Sequence, residues 1–284
     1  MSIHGILGQQ TNNYPTEYSP ETLYPIERRL GRTAIGWDDE RLAVGVDWWQ
    51  AFEMSWLNEQ GISQVAMARL SIPASSPYII ESKSLKLYFN SLNFTEFASW
   101  QAVEQLIATD LSHCLQTEVQ VELFALDDET SSLSVTRPDG VCIDNALADS
   151  SSKVTLSEHP DATLLRVANT NAINQDEPDH FYSHLLRSNC PVTNQPDWGT
   201  LSVSITTDKA IDKASMLRYI LSFRQHNGFH EQCVEQVFAD LSEYYDPSAL
   251  MVRAWYTRRG GIDINPCRVS DMSLLPQPSR LVRQ

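Results

Sequence analysis

Cys190 stands in Leu186-Arg-Ser-Asn-Cys-Pro-Val-Thr-Asn-Gln-Pro-Asp-Trp-Gly199, a polar stretch punctuated by prolines, seven residues before Asp197. A thiol in such a loop can be reached by solvent, a nearby acid or base sets its ionised fraction, and its thiolate is a nucleophile. The competing reading is a surface cysteine followed by a turn, which Asp-Trp-Gly also encodes. A second cluster, His226-Asn-Gly-Phe-His-Glu-Gln-Cys233, falls where one helical pattern ends and the next begins. There His230 and Glu231 occupy a first helical turn, with Asn227 or Gly228 as the expected cap. The helix dipole favours a glutamate at that place whether or not a ligand binds. His226, His230 and Cys233 also recur at i, i+4 and i+7, a spacing that serves zinc, so a metal site stays open as a competitor.

Two basic segments run against the charge of the chain. Glu81-Ser-Lys-Ser-Leu-Lys86 opens a helix, with Ser82 or Ser84 as cap and Lys83 and Lys86 as a positive patch. Such a helix start suits phosphate groups, although a merely solvated, capped helix uses the same residues. Arg258-Arg-Gly-Gly261 joins two strand patterns. Gly-Gly is a hairpin turn, and the two arginines beside it offer an anion a place. Neither G-x-G-x-x-G nor G-x-x-x-x-G-K-[ST] occurs, so no dinucleotide-binding crossover or phosphate loop is available.

The elements that position these residues come in two similar runs. Ala102-Val-Glu-Gln-Leu-Ile-Ala-Thr-Asp-Leu-Ser112 returns, one residue shorter, as Cys233-Val-Glu-Gln-Val-Phe-Ala-Asp-Leu-Ser242. Tyr88 and Tyr219, Ser91 and Ser222, and Val103 and Val234 all lie 131 residues apart. Several matches in order at one spacing indicate two copies of one unit. In each, a strand pair precedes two helices and a second pair follows. The first copy has strands at 63–71 and 78–80, helices near 83–91 and 98–115, then a strand at 118–126 with a partner near 140. The second has strands near 184–186 and 199–205, helices near 212–224 and 229–245, then strands at 249–258 and 261–268. Apolar residues at three- and four-residue spacing mark the helices, and alternation marks the strands. The expected class is α+β, with two ββααββ units whose antiparallel sheets carry their helices on one face. The expected division is an N-terminal arm, 1–45; a first unit, 46–135; a polar connector, 136–160; and a second unit, 161–284.

Composition narrows the partners. Of 284 residues 42% are apolar and 20% charged, enough for a buried core. With 21 basic and 36 acidic residues the net charge is −15, which repels phosphate backbones over most of the surface, so no nucleic-acid partner is expected. No apolar run reaches the roughly 18 residues of a membrane span, and Met1 to Tyr24 lacks the apolar core of a signal peptide. The five cysteines are scattered and never form a C-x-x-C pair, as expected of reduced thiols in the cytoplasm.

Taken together, four motifs resemble one family. They are Glu81-Ser-Lys-Ser-Leu-Lys-Leu-Tyr88, Ser188-Asn-Cys-Pro-Val-Thr-Asn-Gln-Pro-Asp-Trp-Gly199, His230-Glu-Gln-Cys-Val-Glu235 and Tyr256-Thr-Arg-Arg-Gly-Gly-Ile-Asp-Ile-Asn-Pro266. The sequence is similar to the NADPH-dependent 7-cyano-7-deazaguanine (preQ0) reductases of queuosine biosynthesis in their long, two-unit form. The likeness runs from about Trp48 to Gln284. It implies a tunnelling fold, a ββααββ unit of enzymes that handle purines and pterins, and a homodimer. It also implies an oxidoreductase that takes a deazapurine nitrile to a primary amine with NADPH as co-substrate and no metal.

Residue by residue, the resemblance makes Cys190 the nucleophile that forms a thioimide, Asp197 the proton donor and His230 an assistant in proton delivery. Ile80, Glu81, Ser82, Phe229, His230 and Glu231 match substrate-binding positions. Ser82, Lys83, Arg259 and Gly260 match cofactor-binding positions. Two alternatives are a metal-dependent purine or pterin hydrolase on the same fold and a purine-binding member without turnover. Because Glu81 and Glu231 belong to different copies, a site using both lies at a boundary between units or subunits.

Overall fold

The computed structural model describes residues 14–37, 39–129, 134–151, 153–169 and 177–284. The arm supplies a short strand β1 (Pro25–Glu27) and two helices, α1 (Arg28–Ile35) and α2 (Asp39–Leu42). Then come β2 (Gly45–Asn58), β3 (Ser63–Pro73), β4 (Tyr78–Ile80), α3 (Ser82–Ser91), β5 (Glu96–Phe97), α4 (Trp100–Leu115) and β6 (Gln120–Phe124). Two short strands, β7 (Val135–Thr136) and β8 (Val141–Cys142), lead to β9 (Asp179–Asn189) and β10 (Pro196–Thr206). The chain closes with α5 (Lys213–Ser222), α6 (His230–Tyr245), β11 (Ala249–Tyr256), β12 (Ile262–Val269) and β13 (Arg280–Leu281).

One sheet runs through the molecule in the order β6-β3-β2-β12-β11-β10-β9-β8, with β5 beside β2. All its long pairings are antiparallel. The seam between the two halves is the β2–β12 pair, where Trp49 faces Ile264 and Gly45 faces Arg268. Leu201, Val203, Ile205, Val252 and Ala254 pack with α5 and α6 into one core. Ile262, Ile264, Ala66, Ala68 and Leu70 pack with α3 and α4 into another. Val252 pairs with Arg268, and residues alternate along β12, so both cores lie on the same face of the sheet.

The strand assignments differ from the sequence expectation in three places. Residues 63–73 pair with β2, which the sequence reading left out, and not with 78–80. Strand 78–80 pairs instead with β1 of the arm, Pro25 opposite Ile80. The expected partner of β6 near residue 140 is absent from β6, because β8 runs parallel to β9 and β7 parallel to β13. Around β2, burial on both faces and a register shift between Ala51 and Met54 erase the alternation that marks a half-buried strand.

The 131-residue spacing has structural content. The Tyr88 hydroxyl donates to Asp110 at 2.6 Å, and the Tyr219 hydroxyl donates to Asp240 at 2.5 Å. Ser84 donates to the Glu81 carbonyl and Ser215 to the Asp212 carbonyl. Tyr24 N–H donates to Ser84 Oγ just as Arg166 N–H donates to Ser215 Oγ, each at 3.0 Å. Residues 19–27 therefore do for α3 what residues 161–167 do for α5.

Gly45 shows how tightly the seam is drawn. Its φ is +141°, and a Cβ there would stand 2.1 Å from the Cys267 carbonyl oxygen, which belongs to paired backbone and cannot swing away. Gly45→Ala is expected to cost about 3 kcal/mol or more, from strained backbone plus a displaced strand pairing. Urea unfolding measures it; a loss below about 1 kcal/mol would contradict this reading of the seam.

Candidate active site

The β9–β10 hairpin carries the thiol and the acid. Asn189 pairs with Pro196 and Ser188 with Asp197, so residues 190–195 form the loop and Cys190 and Asp197 share its end. Cys190 N–H donates to the Gln195 carbonyl at 2.9 Å, closing the loop. The same strand end is zipped to the α5–α6 junction: Asn189 N–H donates to the His226 carbonyl, and Gly228 N–H donates back to the Asn189 carbonyl. Two backbone bonds thus set the start of α6 against the thiol.

Cys190 is only 4% exposed, a correction to the solvent-accessible thiol that its polar loop suggests. Burial pushes its pKa up. Hydrogen bonds from the Thr193 hydroxyl, the Thr193 and Val192 backbone N–H groups and Arg259 outweigh that and bring it below the usual thiol value. A sulfur ringed by donors is prepared to carry negative charge.

Asp197 is buried between two partners. Its Oδ2 lies 3.4 Å from His230 Nε2 and its Oδ1 3.3 Å from Arg259 Nη1. The His230 ring stacks on Tyr256, with centroids 3.9 Å apart and planes 15° apart, which fixes its orientation. Arg259 also donates to Gln195 Oε1 at 3.3 Å and so holds the loop against the turn that follows β11. That turn is a two-residue hairpin whose Gly260 and Gly261 have φ of +62° and +78°, the conformation that a primed turn demands.

Of the two remaining carboxyl groups in the motifs, Glu231 lines the pocket and Glu81 does not. Glu81 is fully buried; one of its oxygens accepts from Lys83 N–H at 3.0 Å and the other from Ser84 N–H at 2.6 Å. Glu81, and neither Ser82 nor Ser84, is therefore the cap of α3, because its longer side chain folds back onto the first turn. Burial raises its pKa above the ordinary carboxyl value. At α6 neither Asn227 nor Gly228 caps: Phe229 holds the cap position and offers no side-chain acceptor, while Gln232 accepts from its N–H. Glu231 follows in the first turn, and burial, then the charge of Asp47, push it up to about 8.

Ile80, Ser82, Cys190, Asp197, Phe229, His230, Glu231 and Arg259 line one pocket, as the motifs led one to expect. Glu81, Lys83 and Gly260 are not part of its wall; each is the chain neighbour of a residue that is. Trp49, Pro191, Gly228 and Ile264 also line it and were not anticipated. Trp49 and Ile264 face one another across the seam, so only long-range strand pairing brings them there. The open space is about 20 Å³, room for one water, and Arg259 is the most exposed of the residues around it. Lys86 pairs with Glu53 and does not join the positive patch.

The zinc spacing is not realised. Among the described residues no group of three His, Cys, Asp or Glu side chains gathers to hold a metal ion. His226 turns edge-on to Phe223, and burial pushes the Cys233 thiol up to about 12. Nor is any helix among the described residues long and apolar enough to cross a membrane.

A thiol of lowered pKa, an imidazole and two buried carboxyl groups around one small pocket suit covalent addition to a flat, N–H-rich heterocycle. Comparison with known proteins points the same way. Residues 14–123 match the family described as nitrile reductase, 7-cyano-7-deazaguanine-reductase N-term, and residues 196–273 match QueF-like protein. The chain is 72% identical to a protein of Psychrobacter cryohalolentis and 70% identical to one of Psychrobacter arcticus, covering all of both chains in each case. It is 52% identical, again over the full length of both, to one of Acinetobacter baylyi. All three are named NADPH-dependent 7-cyano-7-deazaguanine reductase. With such identity over every residue, and with the motifs gathered in one pocket, the chain belongs to the NADPH-dependent 7-cyano-7-deazaguanine reductase family.

Proposed function

We propose that this protein reduces the nitrile of 7-cyano-7-deazaguanine to an aminomethyl group with NADPH, a step toward queuosine in tRNA, through a thioimide on Cys190. The observation that carries the reading is a buried sulfur, ringed by donors, in one pocket with the Asp197–His230 pair. A nitrile is a poor hydride acceptor. Addition of the Cys190 thiolate to its carbon, with a proton delivered to its nitrogen, gives a C=N bond that is more readily reduced. Asp197 delivers that proton and His230 assists. Glu81 and Glu231 accept from the N–H groups of the base: an ionised carboxylate offers about four acceptor positions, so Glu81 keeps some after capping α3. Phe229 stacks on the rings, and Ile80 and Ser82 border them.

The rim fits a phosphate-bearing cofactor. Arg259 is exposed at the mouth, and among the described residues, its chain neighbours aside, nothing stands within 4 Å of where a Gly260 Cβ would be, leaving open backbone beside the guanidinium. Ser82, Lys83, Arg259 and Gly260 are the residues we assign to hold NADPH, which when bound supplies two hydrides in turn. After the first reduction the carbon–sulfur bond breaks and Cys190 leaves as thiolate, freeing an imine for the second. The chain's own task through both is to keep water out, hold the base and restore protons at the nitrogen.

The repeated hydrogen bonds around Tyr88 and Tyr219 support a reading as two tandem tunnelling-fold units, 46–135 and 161–284, joined through 136–160. Residues 19–27 of the arm 1–45 serve the first unit. Assembly as a homodimer and a place in the cytoplasm complete the proposal. Incubating the protein with 7-cyano-7-deazaguanine and NADPH and following nicotinamide absorbance tests it. Two NADPH oxidised per primary amine are expected. A base that binds without any oxidation would favour a purine-binding member without turnover.

A further inference from the structure

Beneath the pocket lies a set of buried charges to which the arm contributes. Arg28 and Arg32 of α1, Asp47 of β2, Glu235 of α6 and Arg268 of β12 are each at most 6% exposed. Arg268 spends its guanidinium fully: Nη1 donates to Asp47 and to the Cys267 carbonyl, while Nη2 and Nε donate to Glu235. Arg32 Nη2 donates to Glu235 and to the carbonyls of Leu42 and Ala74. Arg28 is different. Its Nη2 meets Asp47 Oδ2 at 2.5 Å, but Nη1 stops 3.7 Å from Glu235 Oε1, and both Nε and Nη1 are buried without a hydrogen-bond partner among the described residues.

Glu231 precedes Glu235 by four residues on α6, so the two side chains share a face of the helix, one turn apart. Glu235 is taken up by the arginines. Among the described residues no side chain forms an ion pair with the Glu231 carboxylate, although Glu231 is 3% exposed and lines the pocket. We propose that Arg28 is a positioning residue for the substrate: it uses its spare positive charge to make Glu231 an ionised acceptor for the N–H edge of the deazaguanine. The inference rests on the functional reading above and gives the arm a part in recognition.

The charges that face Glu231 oppose one another. Burial raises its pKa most, Asp47 from β2 raises it further, and Arg28 from α1 and Arg268 from β12 lower it, for a result of about 8. Cys233, on its own helix, also senses its charge, and Asp197, His230 and Arg259 border the same pocket. At neutral pH the empty site therefore holds Glu231 largely protonated. A base that needs a carboxylate must expel that proton. Without the charge of Arg28, Asp47 would act on Glu231 less opposed, and the proton would be harder to expel.

The test uses 7-deazaguanine, which has no nitrile and forms no adduct, with affinity measured by calorimetry from pH 5.5 to 9 in two buffers of different ionisation enthalpy. The wild-type protein is expected to bind about tenfold more tightly per pH unit below about 8, then level off, releasing close to one proton per base at pH 6. In Arg28→Met the levelling point moves up by at least about one unit, so affinity at pH 7 falls about tenfold or more, and Arg28→Lys returns it to within about threefold. Wild-type binding without proton release, or a folded Arg28→Met protein with an unmoved profile, overturns the assignment. Should Arg28→Met not fold, the wild-type proton count and the Arg28→Lys profile decide. Failure of the wild-type protein to oxidise NADPH with the nitrile would instead strike at the functional reading itself.

Discussion

Cys190→Ala is expected to lower turnover by at least about a thousandfold while the protein folds as before. Removing a nucleophile that splits a difficult step into two removes the route and not merely a contact, and such losses run from about 10³ upward. What survives would be direct hydride attack on an unactivated nitrile, favoured only by proximity. The side chain is small and its loop is closed by backbone bonds, Cys190 N–H to Gln195 and Asn194 N–H to the Cys190 carbonyl, which alanine keeps. The thermal midpoint should therefore shift little, and 7-deazaguanine should still bind within about threefold. A variant that retains a tenth of the wild-type rate would remove Cys190 from the mechanism.

Asp197→Asn is the second large effect expected, a fall in kcat of about 10²–10⁴ with KM changed only a few-fold. Asparagine preserves the shape and can still meet Arg259 and His230, which lie 3.3 and 3.4 Å from the carboxylate. It has no proton to give to the nitrile nitrogen. A rise in KM with kcat intact would instead make Asp197 a binding group. The two variants differ in what they leave behind: Cys190→Ala forms no adduct, whereas Asp197→Asn retains the sulfur that bonds to the base.

The helices were legible in the sequence because local periodicity marks them. Leu85, Tyr88 and Leu92, or Val234, Val237 and Leu241, fall on one face and are buried there. The duplicated spacing is legible too, since Tyr88–Asp110 and Tyr219–Asp240, 22 and 21 residues apart, each lie within one helix pair. Chemistry does not follow the duplication. Ser99 caps α4 through Ala102 N–H, while the matching turn of α6 gives up its side-chain cap and presents His230 and Glu231 to the pocket.

What the sequence hid was decided far along the chain. Strand β4 pairs with β1, some fifty residues earlier, and Trp49 meets Ile264 through a register no local pattern states. The polar loop around Cys190 suggests exposure, yet the thiol is buried, with hydrogen bonds from Thr193 and Arg259. Ser82 and Ser84 look like the caps of α3; the cap is Glu81, because its carboxylate satisfies two N–H groups at once.

The central claim is a bond between the Cys190 sulfur and the nitrile carbon. Intact-mass spectrometry of the protein incubated with 7-cyano-7-deazaguanine and no NADPH tests it most directly, followed by peptide mapping of the modified chain. A gain equal to the whole mass of the base is predicted, located on the peptide that contains Cys190 and lost when NADPH is added. An unchanged mass, or a gain mapped to the exposed Cys142, would contradict it.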